Sequence, residues 1–181
     1  MAFGSGPRLC VYTLASRVRE CRRISDNDVE TVSHPSFAPG GDVLVFSLTD
    51  NADVSHLMVV GAHGGPVRRL TRLRGSELDP SWSPRGDRIA FTLALGGAFD
   101  RRGRTTVMTV RADGTHPRVL LATAGLDDGP AWSPDGRRVV VRSDGPRAAG
   151  GTAQPGVWVV DADGRHPRLA VPGRGIAYVD W

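Results

Sequence analysis

"AWSPDGRRVVV", residues 131–141, and "SWSPRGDRIAF", residues 81–91, are two copies of one phrase. Each runs from a tryptophan through Ser-Pro-x-Gly into an apolar run. Proline pre-sets φ at the second position of a turn, and glycine accepts left-handed geometry at the fourth. A type I turn with a G1 bulge closes a hairpin in this way. A weaker copy, Phe37-Ala38-Pro39-Gly40-Gly41, comes earlier, and Trp181 stands where a further copy would begin.

The aromatic anchors Phe37, Trp82, Trp132 and Trp181 are spaced 45, 50 and 49 residues apart. Gly64, Gly114 and Gly164 are spaced 50 and 50, as are Met58, Met108 and Trp158. Three anchors in one register define a repeat. Each repeat reads as four short strands, a to d. Strand a ends at the aromatic. Strand b is "VLVFSL" from Val43, "RIAFTLAL" from Arg88 and "RVVVRS" from Arg138. Strand c starts at His56, Thr106 and Gly156, and strand d at Pro66, Pro117 and Pro167. Proline cannot donate to a ladder, so it marks strand d as an outer edge. Strands b and c are apolar almost without interruption, which calls for burial on both faces. The fold class that follows is all-β, a β-propeller of four-stranded antiparallel blades. A β-sandwich, the structural competitor, does not need so regular a register.

The ends complete the pattern. Residues 1–25 resemble strands b, c and d, and 176–181, "IAYVDW", resembles strand a. The expectation is one propeller domain over 1–181. Its continuous blades fall at about 34–71, 79–122 and 129–172, with a fourth stitched from both termini. Stitching would hide an edge that otherwise invites aggregation. Four blades stand at the bottom of the usual range of about 4–8. A fragment of a larger propeller, and self-association of two half-rings, therefore stay open beside a compact ring.

The chain has 181 residues, 40% apolar and 23% charged, as in ordinary globular proteins. All 23 basic residues are arginine, giving a net charge of +4. They are scattered among the acids, not clustered with aromatics as a nucleic-acid surface requires. No nucleic-acid partner is expected. No apolar run approaches about 20 residues, so membrane insertion is not expected either. No signal peptide follows Met1, which implies a cytoplasmic protein as the sequence is written. A true start further upstream would permit a periplasmic or extracellular one. Cys10 and Cys21 lie in strand-like runs with no metal or redox motif. They are expected to be reduced, with a single disulfide as the alternative.

"PSWSPRGDRIAFTL", "PAWSPDGRRVVVRS" and "VWVVDADGRHPRLA" resemble the WD-like repeats of the TolB family of β-propellers. The resemblance covers essentially the whole chain. It departs from the family in the first full repeat, where Phe37-Ala38 replaces Trp-Ser. TolB's helical N-terminal domain and export signal have no counterpart in the sequence. Similar repeats form the propellers of prolyl-oligopeptidase-like peptidases and of some polysaccharide lyases. The resemblance implies a repeat type and leaves the function to the site.

Neither G-x-S-x-G nor H-E-x-x-H occurs. The repeated Ser83 and Ser133 read as turn residues, and so do His116 and His166, each before a strand d proline. No cofactor is expected. Acids gather instead in the loops from strand d to the next strand a. They are Asp26, Asp28 and Glu30, then Glu77 and Asp79, then Asp127 and Asp128. In a propeller these loops share one face. Asp26, Asp28, Glu77, Asp79, Asp127 and Asp128 are thus the expected partner-binding residues. They would form an acidic mouth for a basic protein or peptide segment, or for a cation such as calcium. Acids that merely keep the loops solvated are the competing reading. The b–c loops, Gly96–Arg104 and Gly145–Gly156, vary most, and Arg101, Arg102 and Arg104 offer an anion-binding alternative. The function expected is a non-enzymatic scaffold that binds protein or peptide. The alternatives are a substrate-gating domain of a peptidase or a lyase-type propeller.

Overall fold

Apolar runs alternate with Gly/Pro turns throughout, and the computed structural model turns them into strands. The structure describes residues 1–13, 15–95, 104–123, 125–145 and 154–174. The first sheet holds β1 (Ala2–Ser5), β2 (Arg8–Thr13) and β3 (Val18–Arg23). The second holds β4 (Thr31–Phe37), β5 (Val43–Thr49), β6 (Ser55–Gly61) and β7 (Gly64–Arg69). The third holds β8 (Ser76–Trp82), β9 (Arg88–Ala94), β10 (Thr105–Arg111) and β11 (Arg118–Ala122). The fourth holds β12 (Asp127–Trp132), β13 (Arg138–Ser143), β14 (Gly156–Asp161) and β15 (Arg168–Pro172). Every pairing is antiparallel between chain neighbours. The fold is thus a β-propeller of stacked meander blades. Among the described residues no helix is long and apolar enough to cross a membrane.

The near-continuous apolar runs of strands b and c have the two-sided burial expected of them. Side chains alternate across a strand. Leu44, Phe46 and Val60 therefore pack back onto Leu9 of the first sheet. Val45, Leu57 and Val59 on the other face meet Ile89, Phe91 and Val110 of the third sheet. Ala90 and Val107 in turn meet Val139, Val141, Trp158 and Val160 of the fourth. Phe46 and Phe91 are fully buried. Each contributes about 2–3 kcal/mol of apolar burial. The outer strands β3, β7, β11 and β15 are mostly exposed.

The turns follow their local chemistry. Gly41, Gly86 and Gly136 have φ of 78°, 71° and 68°. Their N–H groups donate to the carbonyls of Ala38, Ser83 and Ser133 at 2.8–2.9 Å. Ser133 Oγ donates to Asp135 Oδ1 at 2.6 Å and accepts from the Arg138 N–H at 3.0 Å. Ser83 Oγ makes the matching bonds to Asp87 at 2.8 Å and from Arg88 at 3.1 Å. Both serines are buried turn residues. His116 and His166 take φ of 55° and 50° in equivalent c–d turns.

At the ends, one expectation lies outside the described residues and one changes. The strand a expected at 176–181 lies outside the described residues, so the first sheet is described with three strands. Cys10 and Cys21, expected to be reduced, form a disulfide. The reason is register. The β2–β3 hairpin sets Cys10 directly opposite Cys21, with Cα atoms 4.0 Å apart.

Candidate functional site

Antiparallel connectivity puts all d-to-a and b–c loops at one end of the blades. The innermost strands β4, β8 and β12 each carry an irregularity there. The register shifts across His34-Pro35, Asp79-Pro80 and Gly129-Pro130. The residue before each proline takes a left-handed φ of 48°, 51° or 59°. Proline has no N–H to give the ladder, so it fits a bulge. The bulge also re-aims the residue before it.

Re-aiming assembles a charged cluster across three blades. His34 Nδ1 lies 3.2 Å from Asp79 Oδ1. Thr92 Oγ1 donates to Asp79 Oδ2 at 3.4 Å, and the Gly129 N–H donates to Thr92 Oγ1 at 3.3 Å. Asp128, one residue before the third bulge, holds Arg142 through both of its carboxylate oxygens. Burial pushes the Asp79 carboxyl above its ordinary value; His34 opposes this and Asp128 adds to it. Hydrogen bonding to Asp128 holds Arg142 firmly charged. Side-chain exposures of 49% for His34, 27% for Asp79 and 43% for Arg142 leave the cluster open to solvent.

The six acids expected to line one mouth separate into three groups. Asp79 and Asp128 belong to the cluster. Asp26 and Asp28 are exposed and pair with Arg23, at 3.8 and 2.6 Å. Glu77 and Asp127 are fully buried, each bonded within the interior. Glu77 accepts from Thr71 Oγ1 and from the Leu57 N–H at 3.3 Å. Asp127 accepts from the Thr123 N–H at 2.6 Å, from Thr123 Oγ1 at 3.0 Å and from Ser143 Oγ. Burial raises the Asp127 pKa despite these donors. Both carboxylates tie the end of one blade's outer strand to the next blade's inner strand. A convergent acidic mouth made of all six is thereby corrected, because strand alternation turns Glu77 and Asp127 inward.

Residue typing alone missed His34, Thr92 and Arg142. The signal available was the aligned x-Pro pair of "HPSF", "DPSW" and "GPAW". Arg104 is exposed, and Arg101 and Arg102 lie outside the described residues. Among the described residues no three His, Cys, Asp or Glu side chains come together to hold a metal ion.

No family model matches the chain. It is 30% identical over 84 residues to the Tol-Pal system protein TolB of Thioalkalivibrio sulfidiphilus, covering 46% of this chain and 19% of that protein. Among solved structures, TolB from Acinetobacter baumannii overlays with a TM-score of 0.70 at 18% identity, over 94% of this chain and 40% of the other. The blades thus resemble those of TolB and share their propeller fold. A chain of a nidogen/laminin complex has the same fold, with a TM-score of 0.71 at 15% identity over 96% of this chain and 61% of its own. An uncharacterized peptidase of Bacillus subtilis, YuxL, is 34% identical over 62 residues, covering 34% of this chain and 9% of the peptidase. The chain thus spans less than two thirds of the length of each of these proteins.

Proposed function

We propose that this TolB-type propeller is a non-enzymatic scaffold that binds a basic protein or peptide segment on its loop face. The observation that carries this reading is the His34–Asp79–Asp128–Arg142 cluster. Asp128 already has a full counter-charge in Arg142. Asp79 meets the His34 ring and the Thr92 hydroxyl and feels the Asp128 charge. A lysine or arginine arriving at Asp79 would neutralise a partly buried carboxylate and discharge the repulsion from Asp128. Serines 83 and 133 are committed to turns and offer no nucleophile. The disulfide supports an oxidising location, periplasmic or extracellular, over the cytoplasm.

Calorimetry with an arginine-rich peptide tests this. Wild-type protein should release binding heat, and Asp79→Asn should bind about tenfold more weakly. Absence of heat from wild type, or equal affinity in the variant, would sink the reading. The likeness to the Bacillus peptidase favours a second reading, a substrate-gating propeller. Peptide turnover by the full natural protein, unaffected by Asp79→Asn, would move the assignment there.

A further inference from the structure

The Cys10–Cys21 disulfide differs from a buried structural cross-link in two respects. One sulfur is accessible: Cys10 is fully buried, but Cys21 is exposed on β3, a strand exposed at every position. A fixed cation touches both sulfurs. Arg19 Nε donates to Cys21 Sγ at 3.1 Å, and its Nη2 lies 3.7 Å from Cys10 Sγ. The guanidinium is held there by the Phe3 ring, whose centroid is 5.1 Å away. Arg19 has no carboxylate partner among the described residues. Its charge is therefore left to act on the sulfurs.

We infer that Cys10–Cys21 is a thiol–disulfide exchange site, attacked at Cys21 by an external thiolate and activated by Arg19. The thiolate attacks Cys21 Sγ, a mixed disulfide forms, and the Cys10–Cys21 bond breaks. The electron pair leaves on Cys10 Sγ as a thiolate beside the guanidinium. A second external thiolate then attacks the first external sulfur in the mixed disulfide, forming the external disulfide and releasing Cys21 as a thiolate. The sum is one protein disulfide plus two thiols giving a protein dithiol plus one external disulfide. Exchange speeds up as the leaving thiol's pKa falls, and an adjacent arginine lowers a thiol pKa. Cleavage removes the covalent tie between β3 and β2. Arg22 of β3 also donates to the Gly65 carbonyl at 2.6 Å, so the freed strand borders the next blade.

The test uses the full protein with reduced glutathione as the probe. Samples are quenched at intervals with an alkylating agent and mapped by mass spectrometry. Glutathione should appear on Cys21 and the alkyl label on Cys10. Arg19→Gln should slow the reaction about tenfold, and Arg19→Lys should retain most of the rate. Melting of each oxidised variant shows whether it is folded. Glutathione found on Cys10 in wild type would overturn the inference whatever the variants do. An unchanged rate in folded Arg19→Gln, or resistance of wild type to glutathione, would do the same.

Discussion

Asp127 and Asp128 are neighbours in sequence and opposites in use. Asp127 is fully buried, capped by Thr123 and Ser143, and ties two blades together. Asp128 points to the other face of β12, meets solvent and holds Arg142. Glu77 and Asp79 repeat the contrast on β8. They are two residues apart and would share a face in a regular strand, but the bulge at Asp79-Pro80 separates them. An acid's role in this protein is therefore set by strand alternation and bulge position, and loop membership is a poor guide.

The largest expected effect tests that contrast directly. Asp127→Ala strands the Thr123 and Ser143 donors in the interior and should cost about 3 kcal/mol in denaturant unfolding. Asp128→Ala, at a solvent-touching ion pair, should cost about 1 kcal/mol or less. Equal losses would abolish the distinction. Next comes Ser133→Ala, which removes the turn's side-chain bonds and should cost about 1 kcal/mol. Its effect marks the stability of the scaffold apart from the cluster.

Asp79→Asn sharpens the comparison through pH. The wild-type carboxyl is pushed above the ordinary value of 3.8 by burial. Between the unfolded and folded values the folded state holds more protons than the unfolded one. Stability from this group is thus full below the unfolded value and is lost as pH rises through the folded value. The stability of wild type relative to Asp79→Asn should fall as pH rises from 3.8, as measured by unfolding across that range. A flat difference would mean that Asp79 is not desolvated. Smallest of all is Asp28→Asn. Its carboxyl is 83% exposed, and no change in melting temperature is expected.

The blade grammar was legible because its causes are local. Ser-Pro-x-Gly fixes a turn within four residues, and the aromatic anchors keep the register over the whole chain. The cluster was only half legible. Asp79 and Asp128 could be picked out as acids at the right end of the right strands. His34 reaches Asp79 from the blade before it, and Arg142 meets Asp128 only because β12 and β13 pair in one particular register. The buried acids were misplaced because "ELDP" and "LDDGP" read as polar loops, whereas β8 and β12 have already begun there. The disulfide stood only as the alternative for a related reason. Residues eleven apart meet only if a hairpin has one particular register.

The turn glycines have one more consequence. A Cβ added to Gly86 would stand 3.5 Å from Pro39 Cδ, and one on Gly136 3.2 Å from Pro84 Cγ. Gly86 and Gly136 thus lie over the turn prolines of the blades before them. A blade offers a proline forward and a glycine backward, so the same joint forms from the second sheet to the third and from the third to the fourth. A segment of about 50 residues copied in frame would carry both halves of the joint with it. Such a gene can gain or lose whole blades by recombination without inventing a new interface, and the near-duplicate phrases at residues 81–91 and 131–141 are what that history would leave behind.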